Sequence, residues 1–545
     1  MKRGLAALVG VCLLGFMLLP GCSRVALPRT PAAPKTPPTK EPTAATKPDK
    51  QKFVLKACFF EDYGTLDFQS STNAGARSVT RNLFNTLVRY SSTGYELEPE
   101  LCSKMPVVSA DGKTYAFELR SNIRFHDGTT RLLADDVRFT IERMLDPKAS
   151  RPNRWVFMSI LGAESFSKGR SSSVVGFRKI DDLKFQITLK EPDALFLNSL
   201  AAVAASILSR TLCPTSPEKW AKPEGSGPFR VLSNNPGVML ELGSFSGHYD
   251  VKIPALDGIE YRVLPFSQAL AEFAKGNLDV LSVPPTEVDA VVRSGAGAVL
   301  ECQLDATCYF IMNVRNPAWK DARVRRALAM SIDRNRILEV VLGGRGTAAH
   351  GLVPPGVPGG FAAGAGPAPA MDVPAARKLL DQSSPVSVEA WAAEGTSLEL
   401  QSLLESMAKD AGIGLRVLRM PAADYARAQK EGSVPAGIGM WKPQAPDASA
   451  YLYPLFSYTN AMSSGYRNVP VQDSLEAGRT TAIAKAREQL YQKIEKAIVG
   501  DDVAIIPLYH PKAYLATRPG VKGIVMHPAY GMSVNYATKE AAGQK

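Results

Sequence analysis

The chain has 545 residues, of which 45% are apolar and 21% charged, with a formal net charge of +12. That length supports two or three domains with full cores, and the composition is that of a globular protein. The basic excess contains no Lys/Arg run interleaved with aromatics, which argues against nucleic acid as a partner.

In chain order, Lys2 and Arg3 precede an apolar run over 5–19. The run is shorter than the ~20 residues that span a bilayer, so it reads as a secretory signal. It ends in Leu19-Pro20-Gly21-Cys22, which resembles the lipobox of bacterial lipoproteins. That resemblance implies cleavage before Cys22 and lipid on Cys22, and hence an anchor on the outer side of a bacterial membrane. A plain secretory signal with an incidental cysteine is the other reading. Residues 23–50 are mostly Pro, Ala, Thr and Lys, cannot form a core, and read as a disordered tether. The fold is expected to begin near Phe53.

A strand is expected over 53–57 and a helix over 79–88. Asp111-Gly112 is a turn signal. After it Tyr115, Phe117 and Leu119 share one face of an alternating strand. A second turn, Asp127-Gly128, is followed by helical spacing, with Val137, Ile141, Met144 and Leu145 on one stripe. Asp135 and Asp136 sit in the first turn, where the helix dipole favours acids. Asp146-Pro147 stops the helix.

This block resembles the signature region of the family 5 extracellular solute-binding proteins, the peptide and nickel receptors of bacterial ABC importers. The matching motifs are Leu119-Arg120, Phe125-His126-Asp127-Gly128 and Ala134-Asp135-Asp136-Val137. Leu133 stands where the family usually has a residue able to cap the helix. Further along, Tyr95 to Leu101, Gly225-Ser226-Gly227-Pro228-Phe229, the strand at 309–314, the run 324–333 and Ile505-Ile506-Pro507-Leu508-Tyr509 also resemble family segments.

The rest of the chain suits that reading. Strands are expected at 174–180, 184–189, 259–264, 279–283 and 415–418. Helices are expected at 196–208, 267–275, 375–380, 400–411 and 482–499. This βαβ rhythm suits mixed sheets covered by helices. The resemblance implies an α/β, two-lobed periplasmic binding protein fold of the large three-domain type, class II-like, with a hinge. Lobe I is expected from 51–90, 224–308 and 506–545, an extra domain of lobe I from 91–223, and lobe II from 309–505. The chain is expected to cross between lobes, and to hinge, near Asn313 and Pro507.

Catalytic signatures are missing from the sequence, and the reading is of a non-enzyme with no cofactor. Gly112-Lys113-Thr114 imitates the end of a phosphate loop, but Val107 stands where its first glycine belongs. His126, His248, His350, His510 and His527 are scattered and read as loop or packed residues, so no metal site is expected. Beyond Cys22 the cysteines are Cys58, Cys102, Cys213, Cys302 and Cys308, an odd set in which Cys302 and Cys308 could close a small loop.

The resemblance places the ligand between the lobes, with Tyr63, Met440, Trp441, Gln444 and Asp447 as candidate contacts. In peptide-binding members a tryptophan is followed three residues later by an aspartate that takes the ligand's α-ammonium. Here Trp441 matches and Gln444 holds the aspartate position. Glutamine cannot neutralise an ammonium. Weak binding of free-amine dipeptides is therefore expected, unless Asp447, Glu61, Asp62 or another acid takes over. The implied function is capture of a peptide or peptide-like solute by a monomer that delivers it to ABC permease and ATPase subunits. A sensor or structural lipoprotein of the same fold is the alternative, as is a receptor for a metal chelate or glycoside.

Overall fold

The computed structural model describes residues 53–380, 386–443, 445–458, 464–481 and 483–540. Cys22 and the proline-rich tether lie outside them, as does Gln444.

The first strand, Val54–Phe59, pairs in parallel with Gly258–Val263, which continues antiparallel to Met239–Ser244 and then Phe229–Asn235. Leu55, Ile259, Leu242 and Val231 lie across from one another in that register. They bury one face against Val79 and Leu83 of the helix Ala74–Leu83. This helix starts and ends earlier than the spacing predicts. Asn73 accepts a hydrogen bond from the Ala76 N–H and caps it, and Phe84 is already extended. A second sheet holds Val280–Val283, Lys512–Thr517 and Ala298–Gln303, with Lys512–Thr517 in the middle. Asp279 joins the two sheets. Its N–H donates to the Lys56 carbonyl at 2.8 Å, and its carboxylate accepts from the Lys56 N–H at 2.8 Å and from Lys539 at 2.9 Å.

The signature block forms its own antiparallel sheet, Val107–Val108, Thr114–Glu118, Lys184–Thr188 and Phe177–Lys179. Phe117 faces Phe185 and Tyr115 faces Ile187, and the helix Ala134–Leu145 covers them. Leu133 provides no side-chain cap. Asp136 compensates from three residues on, accepting from the Leu133 N–H at 2.8 Å and the Arg210 N–H at 2.8 Å. The helix expected over 196–208 stops at Ala201. Beyond it the Ile207 and Leu208 N–H groups bond to Asn85 and Thr140 rather than to a preceding turn.

The largest sheet has six strands in the order Thr347–Ala348, Ile505–His510, Thr307–Met312, Ala436–Trp441, Val386–Ala393, Ile413–Met420. Its central strands are buried on both faces, as their unbroken apolar runs require. Phe310, Ile438 and Leu508 point to one layer of helices, Ala322–Ser331, Arg334–Leu342, Val373–Leu380 and Leu398–Asp410. Tyr309, Ile311 and Ile505 point to the other, Ser449–Phe456, Val469–Thr480 and Ala484–Glu495. That last helix continues into a π turn, Lys496–Asp501, after which Val503 has a φ of 45°.

The chain passes between the second and the six-stranded sheets twice. The outward passage is 304–306, between Ala298–Gln303 and Thr307–Met312, and the return is Pro511, between Ile505–His510 and Lys512–Thr517. The Leu304 N–H donates to the Pro511 carbonyl at 3.0 Å, so the passages run side by side. The crossings expected near Asn313 and Pro507 therefore sit elsewhere. Asn313 follows the far end of its strand. Pro507 lies mid-strand opposite Tyr309, where the missing N–H of proline coincides with a register shift. Among the described residues all five cysteines are free, so Cys302 and Cys308 do not close a loop.

Candidate ligand-binding site

The stretch that carries the candidate contacts begins as the strand Ala436–Trp441. It pairs antiparallel with Thr307–Met312, with Trp441 opposite Thr307 and Met440 opposite Cys308. The register puts Trp441 at the end of the sheet where the chain passes to the second sheet. Alternation sends the two side chains to opposite faces. Met440 is half-buried and packs on the first helix layer. Trp441 packs with Tyr309, Tyr451 and Leu452 in the second, and its indole N–H donates to the Ala450 carbonyl at 2.8 Å.

Asp447 does not reach the site as an available acid. Arg487 clamps both its oxygens, and the Ser449 N–H and hydroxyl donate to it at 2.8 and 2.7 Å. Its lone pairs are spent on this buried pair, so it cannot replace a carboxylate at position 444. Tyr63 is 1% exposed, packs in the core of the first sheet, and donates to the Asn234 side chain. It offers a ligand no surface here. Glu61 and Asp62 lie exposed in the loop after the first strand, where Asp62 accepts from the Gly64 N–H at 2.9 Å.

Two residues that spacing did not single out meet at the crossing. Asp305 lies in the outward passage and is 4% exposed. Tyr95, from the segment preceding the signature block, donates its hydroxyl to the Asp305 carboxylate. Burial pushes the Asp305 carboxyl up to about 6, against the lowering pull of the Tyr95 hydrogen bond and the Lys442 charge. Tyr95 packs against both the signature-block core and the Trp441 layer, and so spans the boundary between them. Around it Tyr90 lies 6.2 Å away edge-on and His527 6.1 Å away, and His527 is tilted against Tyr530 at 4.8 Å. The Arg81 guanidinium sits 4.3 Å over the Tyr530 ring. Behind Trp441, the fully buried Tyr451 hydroxyl has no partner. A second contact across the lobes is the Ala194 N–H donating to the Arg479 carbonyl at 3.0 Å.

Residues 96–463 match the model of the bacterial extracellular solute-binding proteins, family 5 Middle. The chain belongs to this family. Family 5 relatives include a probable di/tripeptide-binding protein of Pseudomonas aeruginosa, 26% identical over 86% of this chain and 91% of its own length. The dipeptide-binding protein of Escherichia coli is 26% identical over 85% of this chain and 89% of its own length. Among solved structures, the unliganded open form of the periplasmic murein tripeptide-binding protein MppA superposes with a TM-score of 0.78 at 22% identity, over 90% of this chain and 98% of that one. This family 5 member is thus a two-lobed α/β solute-binding protein. Among the described residues no helix is long and apolar enough to cross a membrane. Nor does any group of three or more His, Cys, Asp or Glu stand where it could hold a metal ion.

Proposed function

We propose that this protein captures a peptide or peptide-like solute between its lobes and delivers it to the permease and ATPase of an ABC importer. The observation that carries the reading is that Tyr95, bonded to Asp305 in the outward passage, also packs on the layer of Trp441, whose strand partner Thr307 follows that passage. Strand edges beside such a junction offer main-chain hydrogen bonds to an extended ligand, and the aromatic side chains offer apolar walls. The hinge is the side-by-side pair 304–306 and Pro511, because only these residues link the second and six-stranded sheets through the chain. Ligand binding favours the closed arrangement, which an importer reads. The chain acts without catalysis, as a monomer held to the membrane by lipid on Cys22.

A non-peptide solute is the second reading. Relatives named as a deoxycholate-binding and a heme-binding protein are also 26% identical to this chain. Native mass spectrometry of the protein purified without denaturation tests both. A co-purifying peptide supports the first, and a sterol, tetrapyrrole or other non-peptide mass supports the second. A protein that binds none of these, in cells whose solute uptake is unchanged by its loss, rules out transport.

A further inference from the structure

We propose that Arg345 and Asp289 form a brace behind the hinge, which opposes closure of the lobes over Trp441 and so sets how much of the protein is closed before a solute arrives. The inference rests on the hinge of the reading above and names a device that biases it.

The strands that meet the two passages, Thr307–Met312 and Ile505–His510, are neighbours in the six-stranded sheet and lie between its two helix layers. A pair of side-by-side strands bends more easily out of the sheet plane than within it, where bending would shear the ladder. A bend toward one face draws together the contacts on that face and pulls apart those on the other. Trp441 packs on the face of the second helix layer, and so does Tyr95. Closure over Trp441 is therefore a bend toward that face.

The brace stands on the opposite face. There the helix Arg334–Leu342, whose Ile337 and Leu338 belong to the first layer, packs by its end against the turn Pro285–Glu287. That turn follows Val280–Val283 of the second sheet. Gly343, Gly344 and Gly346 have φ of 60°, 78° and 129°, a backbone that glycine adopts without strain. The loop they make brings Arg345 across the seam. Its guanidinium donates to the Asp289 carboxylate and lies 5.6 Å from the centre of the Tyr514 ring. Asp289 sits in the first turn of the helix Val288–Arg293, and Tyr514 belongs to the middle strand of the second sheet. One side chain of the six-stranded sheet's layer thus grips the second sheet at two points.

The Arg345 and Asp289 side chains are 28% and 59% exposed, so the pair adds little to folding. An exposed pair still changes a two-state ratio by up to about fivefold, enough to shift a balance between open and closed lobes. The second-layer face has a counterpart. The Ala194 N–H reaches the Arg479 carbonyl at 3.0 Å, and the Arg479 guanidinium lies 3.6 Å from Glu191. The bend that breaks the brace draws this contact together, so the two act in opposite senses.

Small-angle scattering of the ligand-free protein tests the brace. Arg345→Glu sets two carboxylates against each other and is expected to lower the radius of gyration below that of wild type. Asp289→Lys sets two cations against each other and is expected to do the same. Arg345→Glu combined with Asp289→Arg rebuilds the pair in reverse and is expected to restore the radius, which a mere loss of packing would not allow. Salt at ~1 M screens the pair and is expected to move wild type in the same direction as Arg345→Glu. Arg479→Gln is expected to shift the radius the other way. An unchanged radius in both charge reversals, beside a shift in Pro511→Gly, overturns the brace and leaves the hinge standing. A larger radius in the charge reversals overturns it as well. No shift in any of these variants brings down brace and hinge together.

Discussion

His126 and Gly225 hydrogen-bond to each other twice: the His126 N–H donates to the Gly225 carbonyl at 2.8 Å, and the Gly225 N–H donates to His126 Nδ1 at 3.0 Å. The other ring nitrogen, Nε2, then donates to the Gly227 carbonyl at 3.1 Å. This fixes a neutral ring with its proton on Nε2. The pair ties the Asp-Gly turn of the signature block to the returning glycine segment. Gly225 is needed there because a Cβ would fall 1.8 Å from the Leu83 carbonyl oxygen.

Charging His126 would set a proton on Nδ1 against the Gly225 N–H. Its pKa is accordingly pushed down from 6.5 to about 4, chiefly by burial. Buried His510 is lowered to about 4 as well. The unfolded chain binds these protons first, so stability is fully present above pH 6.5 and is lost as pH falls toward 4. Each histidine contributes at most ~3 kcal/mol to that slope. Urea unfolding of His126→Asn at pH 7 and pH 5 is expected to show a lower starting stability and a shallower loss. An unchanged slope would mean that the ring is not the titrating group.

Glu495 runs the other way. Burial raises its carboxyl to about 7, and its Oε2 has no partner. Here the folded state binds the proton first, so its contribution is fully present below about 4.5 and is lost as pH rises through 7. Glu495→Gln keeps an acceptor for the Leu352 and Val353 N–H groups and cannot ionise. Its stability is expected to vary less than that of wild type between pH 5 and 8, by ~1–3 kcal/mol. Parallel denaturation curves across that range would refute the assignment.

Asp447 and Arg487 form a buried pair, so removing one partner strands the other. Arg487→Met is expected to destabilise the fold by about 3–5 kcal/mol. In a milder variant, Asp447→Asn, the preference between free-amine and acetylated peptides is expected to stay as in wild type. A changed preference would return Asp447 to the ligand site.

The hinge can be tested by small-angle scattering with and without a ligand of measured affinity. A smaller radius of gyration is expected on binding. Pro511→Gly is expected to change the ligand-free radius, and Asn313→Gly is expected not to. The reverse pattern would move the hinge back to Asn313.

Cys22→Ala is expected to abolish acyl labelling and release the protein from membranes or leave it unprocessed. Membrane fractionation and labelling identical to wild type would exclude the lipid anchor.

The alternating strand, the helix after Asp127-Gly128 and the apolar crossing strands were legible because each rests on local periodicity. The binding-site residues were not legible in the same way. Trp441 could be placed at the crossing end of its strand only once its pairing with Thr307 was known. Asp447 looked available because Arg487, forty residues away in sequence, does not announce its partner. Asp305 drew no notice because Tyr95 lies 210 residues away. The crossing was misplaced by a few residues because an apolar run such as 307–312 marks a buried strand without saying which sheet claims it.

Asp279 ties the first strand of the fold to one near its end, and Lys512–Thr517 fills the centre of the second sheet. A chain growing from its N-terminus therefore cannot complete the second sheet until nearly the whole polypeptide has been made. Until then the second sheet lacks its central strand and Asp279 lacks the lysine that neutralises it, and the loop-closure cost is unmet. A truncation from Lys512 onward, which removes Lys512–Thr517 and Lys539, should leave the second sheet unformed while the six-stranded sheet keeps all its strands.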